Sequence, residues 1–141
     1  MKTPIHLWIV GLVSLLWNAG GAYDYVMSQM KNQAYLGMLT DAQRGFLENA
    51  PAWFDAAWAV GVWFSILGSL LLLARSRLAR PAFGFSLLGL IVSSVYSFGL
   101  AKPTTLEITG SFALWFSTAI AVVLVLLWRY ARAMTRRGVL R

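Results

Sequence analysis

The chain has 141 residues and reads as a single domain by length. It is 59% hydrophobic and only 12% charged, with a net charge of +7 and no cysteine. That balance excludes an ordinary soluble globular protein, and the missing cysteine excludes disulfides, thiol redox chemistry and cysteine-ligated metals.

Four apolar runs organise the sequence, at residues 7–27, 53–74, 81–100 and 108–128. Each is about 20 residues long, which at about 1.5 Å per residue matches the roughly 30 Å hydrocarbon thickness of a bilayer. Backbone groups in lipid must be paired within their own segment, so each run is expected to be a helix. The period-two alternation of a barrel strand is absent. Asp24, Asp41, Glu48, Asp55 and Glu107 fall in or beside the first and third connections, accompanied only by Lys31, Arg44 and Lys102. Lys2, Arg75, Arg77, Arg80, Arg129, Arg132, Arg136, Arg137 and Arg141 occupy the N-terminus, the second connection and the tail, with no acid among them. Basic residues near helix ends stay cytoplasmic. The expected fold is therefore all-α: an integral membrane up-down-up-down four-helix bundle with both termini cytoplasmic, one transmembrane domain over residues 1–141. Trp8 and Trp128 would lie at the inner interface, and Tyr23, Tyr25 and Trp53 at the outer one.

In the first span, Lys2 and Ala19-Gly20-Gly21-Ala22 mimic a signal peptide, but the run continues to full span length and no cleavage is expected. Ser14, Asn18 and Ala22 share one face of this helix. Asn18 reads either as an interhelical hydrogen bond or as a ligand contact in a cavity, the former being the expected role. Asp24 directly follows the apolar run, where an acid would oppose the helix dipole. Either the helix continues past the membrane surface, or Lys31, Arg44 or Lys102 compensates the charge. The outer loop, 28–52, contains the capping box Thr40-Asp41-Ala42-Gln43, which predicts a short helix over 41–49, with Gly37 as a break before it.

On the second span Ala57, Gly61, Ser65 and Ser69 recur every fourth residue, a small-residue stripe suited to close helix packing. Gly89, Ser93 and Ser97 repeat the spacing on the third span, and Ala113, Ser117 and Ala121 on the fourth. Residues 75–80 form a tight basic turn, and Pro81 opens the third helix. A second capping box, Thr104 to Glu107, is expected to start the fourth helix. Asp41, Glu107 and Asp55 are each accounted for by a helix start, which leaves Asp24 as the acid in need of a role.

No ionisable residue lies near mid-membrane, which argues against a pump with a charged relay. The candidate outer polar pocket is Asn18, Asp24, Asp55, Ser94 and Tyr96, with Trp17, Trp63 and Trp115 as candidate walls. No nucleophile, metal cluster or phosphate loop appears, so no catalytic or metal-binding residue is assigned, and no cofactor is named by the sequence. A lone His6 at the inner interface is expected to be hydrated. Arg75, Arg77, Arg80, Arg132, Arg136 and Arg137 are expected to contact anionic lipid, at about 1 kcal/mol each, rather than nucleic acid.

Leu16-Trp17-Asn18, Gly21-Ala22-Tyr23-Asp24-Tyr25, Met27, Ala57-Trp58-Ala59, Gly61-Val62-Trp63, Gly68 to Leu73 and Arg75-Ser76-Arg77 together resemble small four-helix proteobacterial membrane proteins that carry the label "sugar transporter". The resemblance covers about the first two-thirds of the chain. It implies a bacterial inner-membrane protein and transfers no binding residue. Three readings follow. The first is a non-enzymatic accessory or assembly subunit that associates with other membrane subunits, or with itself, through its helix faces. The alternative is a small-solute, sugar-like transporter or facilitator acting as a homo-oligomer. The third is a pigment- or quinone-binding subunit.

Overall fold

A computed structural model describes residues 3–141; Lys2 lies outside them. All regular structure among the described residues is helical: α1 (Ile5–Gln29), α2 (Gln33–Leu36), α3 (Asp41–Asn49), α4 (Ala52–Leu73), α5 (Ala79–Val95) continued by a π-helical turn (Tyr96–Leu100), α6 (Thr105–Thr109) and α7 (Ser111–Arg136). Among the described residues four helices are long and apolar enough to cross a membrane: α1, α4, α5 with its π turn, and α7.

The boundaries explain two sequence features. α1 runs on to Gln29, so Asp24 sits inside the helix and escapes the C-terminal dipole. The Thr104 hydroxyl does accept from the Glu107 amide, yet this cap starts only the five-residue α6. Gly110 then adopts φ +79° and ψ −163°, a conformation open to glycine, and α7 begins beyond it at Ser111. The fourth long helix therefore starts three residues later than the expected 108 and extends to Arg136. At α3 the full capping box forms, with Thr40 accepting from the Gln43 amide and Gln43 accepting from the Thr40 amide.

α4 is flanked by α1 and α5, and α5 by α4 and α7. The small-residue stripe of α4 is divided between its two neighbours. Its first half meets α5: a Cβ on Gly89 would lie 2.6 Å from both the Ala57 carbonyl oxygen and the Gly61 nitrogen, so the α5 backbone rests directly on α4. Ser86 Oγ donates to the Gly61 carbonyl at 2.5 Å. The second half meets α1 through Ser65 and Ser69. For helices that cross a membrane, where lipid removes the hydrophobic drive for association, close backbone approach and buried hydrogen bonds of this kind are what hold a bundle together.

The basic end is the packed end. Leu7 of α1, Leu72 of α4, Ala79 and Phe83 of α5, and Leu124, Leu127, Ala131 and Met134 of α7 form one buried cluster. Val139 and Leu140 complete it, because the tail folds back: Arg77 N donates to Arg141 O at 3.1 Å, and Arg141 N to Arg75 O at 2.9 Å. Arg80 and Arg132 flank the Trp128 ring at 5.7 and 5.8 Å. α1 and α7 pack onto their neighbours rather than onto each other. They meet through side chains, His6 with Tyr130 (Nδ1 to hydroxyl, 2.5 Å) and Trp17 with Phe116 (ring centroids 6.3 Å apart).

A candidate binding cavity at the acidic end

Because α1 and α7 stay apart, the half of the bundle away from the basic cluster is hollow. A cavity of about 650 Å³ lies among all four long helices. Asn18 of α1, Ser65 of α4 and Ser93 of α5 are its polar wall; Trp58, Leu90 and Ile120 are part of its apolar lining. Leu124, itself a member of the buried cluster, closes it toward the basic end. Asp24 and Tyr35 border the cavity at the other end. A smaller cavity of about 240 Å³ lies beyond them under α3 and α6, and the two share Asp24 and Trp58 as walls.

Asn18 is 8% exposed, and its amide nitrogen donates to Ser65 O at 3.1 Å and to Ser69 Oγ at 3.0 Å. Ser69 Oγ also lies 2.8 Å from Ser14 Oγ, so Ser14 and Asn18 of α1 and Ser65 and Ser69 of α4 are joined in one buried polar network. The Ser65 carbonyl can only accept, which fixes the amide nitrogen toward α4. The Asn18 carbonyl oxygen has no hydrogen-bond partner among the described residues. The interhelical role expected of Asn18 is therefore present, and the same side chain lines the cavity.

Asp24 accepts a hydrogen bond from the Tyr35 hydroxyl. α2 presents Tyr35 because Asn32 caps it, its side chain accepting from the Tyr35 amide at 3.0 Å. Burial, and then the bond to Asp24, push the Tyr35 phenol well above the ordinary tyrosine range, so it remains a neutral donor. None of the cations considered for Asp24 pairs with it. Arg44 is held instead by Asp41 and by the carbonyls of Leu36 and Leu39, both at 3.0 Å.

Of the sequence-predicted pocket, the structure brings Asn18 and Asp24 to one cavity. Asp55, Ser94 and Tyr96 are not among its lining residues. Asp55 accepts from Gln29 Nε2 at 3.4 Å, and Tyr96 belongs to an aromatic cluster with Phe46, Trp53 and Phe54. Of the three expected tryptophan walls, Trp17 lines the cavity; Trp63 packs on Tyr25, and Trp115 is 73% exposed. Trp58 and Phe116 line it instead. Trp58 could have been found from its position one residue after the stripe member Ala57, facing α1. Tyr35 carries no sequence signal beyond the Asn32 that caps its turn. Among the described residues no group of three or more His, Asp or Glu side chains converges on a metal-sized site. Compared with family models, curated proteins and solved structures, the chain finds no match.

Proposed function

We propose that this chain is a small-molecule-binding protein of the bacterial inner membrane, with the four-helix cavity as its binding site. In this reading the helices run up-down-up-down, the basic end and both termini face the cytoplasm, and the cavity lies in the outer half of the bilayer. One observation carries the reading: a cavity of about 650 Å³, within the range of ligand pockets, is walled by a buried Asn18 whose carbonyl oxygen is left for a guest. The small-residue stripe that motivates an accessory subunit is taken up inside the chain. The assembly reading then rests on exposed apolar faces, which lipid covers equally well. Nor does a homo-oligomer have to be invoked to enclose volume.

Mass spectrometry of protein purified in mild detergent from its native membrane tests the proposal whatever the ligand is. A small molecule should accompany the wild type and be lost from Ser93→Trp, which fills the cavity. A chain that carries no such molecule in either form would sink the idea. Sidedness is checked by single cysteines introduced into this cysteine-free chain: Glu48→Cys should react with an impermeant maleimide in intact cells, and Ser76→Cys should not.

A second reading, a facilitator, is favoured by the closure at the basic end and the smaller cavity at the other, which together resemble one access state of a carrier. Saturable flux of a labelled solute in proteoliposomes, lowered by Asn18→Ala and by Asp24→Ala, is its expected signature.

A further inference from the structure

The cavity has a side door. Leu16 and Trp17 of α1 are 67% and 45% exposed although both line it, and Phe116 across the slot on α7 is 49% exposed. Above Trp17, α1 presents Gly20 and Gly21, which also line the cavity; a Cβ built on either meets nothing within 4 Å. Beside the cavity the α1–α7 slot is crossed by the Trp17–Phe116 ring pair, with bare backbone at Gly20 and Gly21 next to it. At the depth of a helix midsection, such a slot opens to lipid rather than to water.

The polar wall is one-sided in its chemistry. Ser65 Oγ gives its hydrogen to the Val62 carbonyl at 2.7 Å, and Ser93 Oγ gives its hydrogen to the Leu90 carbonyl at 3.1 Å. Both hydrogens of the Asn18 amide nitrogen are used on α4. What Asn18, Ser65 and Ser93 have left for a guest is acceptor capacity only. A guest that displaces water from this wall without supplying a donor leaves the Asn18 oxygen unpaired, which is unfavourable, so the wall selects a guest that brings an O–H or N–H. A charged head is disfavoured, because the only carboxylate on the lining, Asp24, stands six residues along α1 from Asn18, about 9 Å away.

From these two features we infer that the ligand is a lipophilic molecule with a neutral hydroxyl head, such as a long-chain phenol or alcohol, and that it enters from the bilayer through the α1–α7 slot, its hydroxyl donating to Asn18 Oδ1. This rests on the binding reading above and specifies its ligand class and route. The apolar body lies against Trp17, Trp58 and Phe116, and the hydroxyl replaces water at the acceptor wall.

The test uses protein in lipid nanodiscs and a matched pair of probes, 2-bromo-4-nonylphenol and its methyl ether, which differ in the donor alone. Bromine quenches nearby tryptophan fluorescence, and the ether corrects for simple partitioning into lipid. The phenol should quench at about tenfold lower concentration than the ether. Asn18→Leu should abolish that preference. Gly21→Leu, which has open space to fill and leaves the polar network intact, should weaken or slow the phenol's quenching. Equal quenching by phenol and ether overturns the ligand class, and an unchanged Gly21→Leu overturns the lateral route. If a polar, water-soluble molecule accompanies the native protein while the two probes quench alike, the class falls and the binding reading stands. No guest in either experiment removes both.

Discussion

The Asn18 amide nitrogen donates to Ser69 Oγ at 3.0 Å, and this contact ties α1 to α4 at a point where Ser69 is fully buried. Ser14 joins the same hydroxyl from one turn below. Interhelical hydrogen bonds in membranes contribute about 0.6–2 kcal/mol, because the unfolded helices also find partners. Asn18→Ala and Ser69→Ala should each destabilise the bundle in that range. Combined, they should lose less than the sum, since both remove one shared bond. A double-mutant cycle from unfolding in mixed detergent and dodecyl sulfate measures the coupling; strict additivity would contradict the geometry.

At Gly89 the α5 backbone rests directly on the backbone of α4. An alanine Cβ there would press on backbone atoms of Ala57 and Gly61, neither of which can move aside as a side chain can. Gly89→Ala should therefore force the two helices apart and destabilise by about 1–3 kcal/mol. Gly20→Ala meets open space, and should be neutral or stabilising by up to about 1 kcal/mol through helix propensity. The same unfolding assay compares the two. A similar loss at both positions would mean that Gly89 is not a packing contact.

These two glycines also mark how far the sequence could be read. The helices were legible because lipid allows one solution for a run of about 20 apolar residues. The α4 stripe announced close packing, and Asn18 announced an interhelical bond. The partner of each was not legible, since spacing on one helix does not say which neighbour it faces: Gly61 went to α5, Ser69 to α1. The cavity could not be read either. It exists because α1 and α7 do not close on each other, a matter of helix arrangement with no local signal. Thr104 to Glu107 misplaced the start of α7 for a local reason, the break at Gly110.

Tyr35 makes the acidic end sensitive to alkali. Its phenol is an acid whose folded pKa is raised, first by burial and then by Asp24. The stability it contributes is complete below the ordinary tyrosine pKa near 10 and is lost as the pH rises above it. Unfolding measured between about pH 7 and 9 should show no trend from this group, and above about pH 10 the wild type should lose stability that Tyr35→Phe does not. In absorbance at 295 nm, Tyr35 should contribute a late ionisation phase that is missing from Tyr35→Phe. Asp24→Asn should move it only part of the way back, because burial is the larger cause.

Leu140 tests the other end. It is 3% exposed in the cluster formed by Leu7, Leu72 and Phe83, and the neighbouring Arg141 is paired by backbone hydrogen bonds to both Arg75 and Arg77. The tail thus covers apolar side chains that would otherwise meet water just outside the helix ends. Leu140→Asp places a carboxylate in that cluster, and releasing the tail is less unfavourable than burying the charge. The amide hydrogens of Arg77 and Arg141 should then exchange much faster with solvent, while those in the middle of α4 and α5, whose bonds are internal to the helices, should be unchanged. If Arg77 and Arg141 keep their protection in the variant, the tail is held by something other than Leu140.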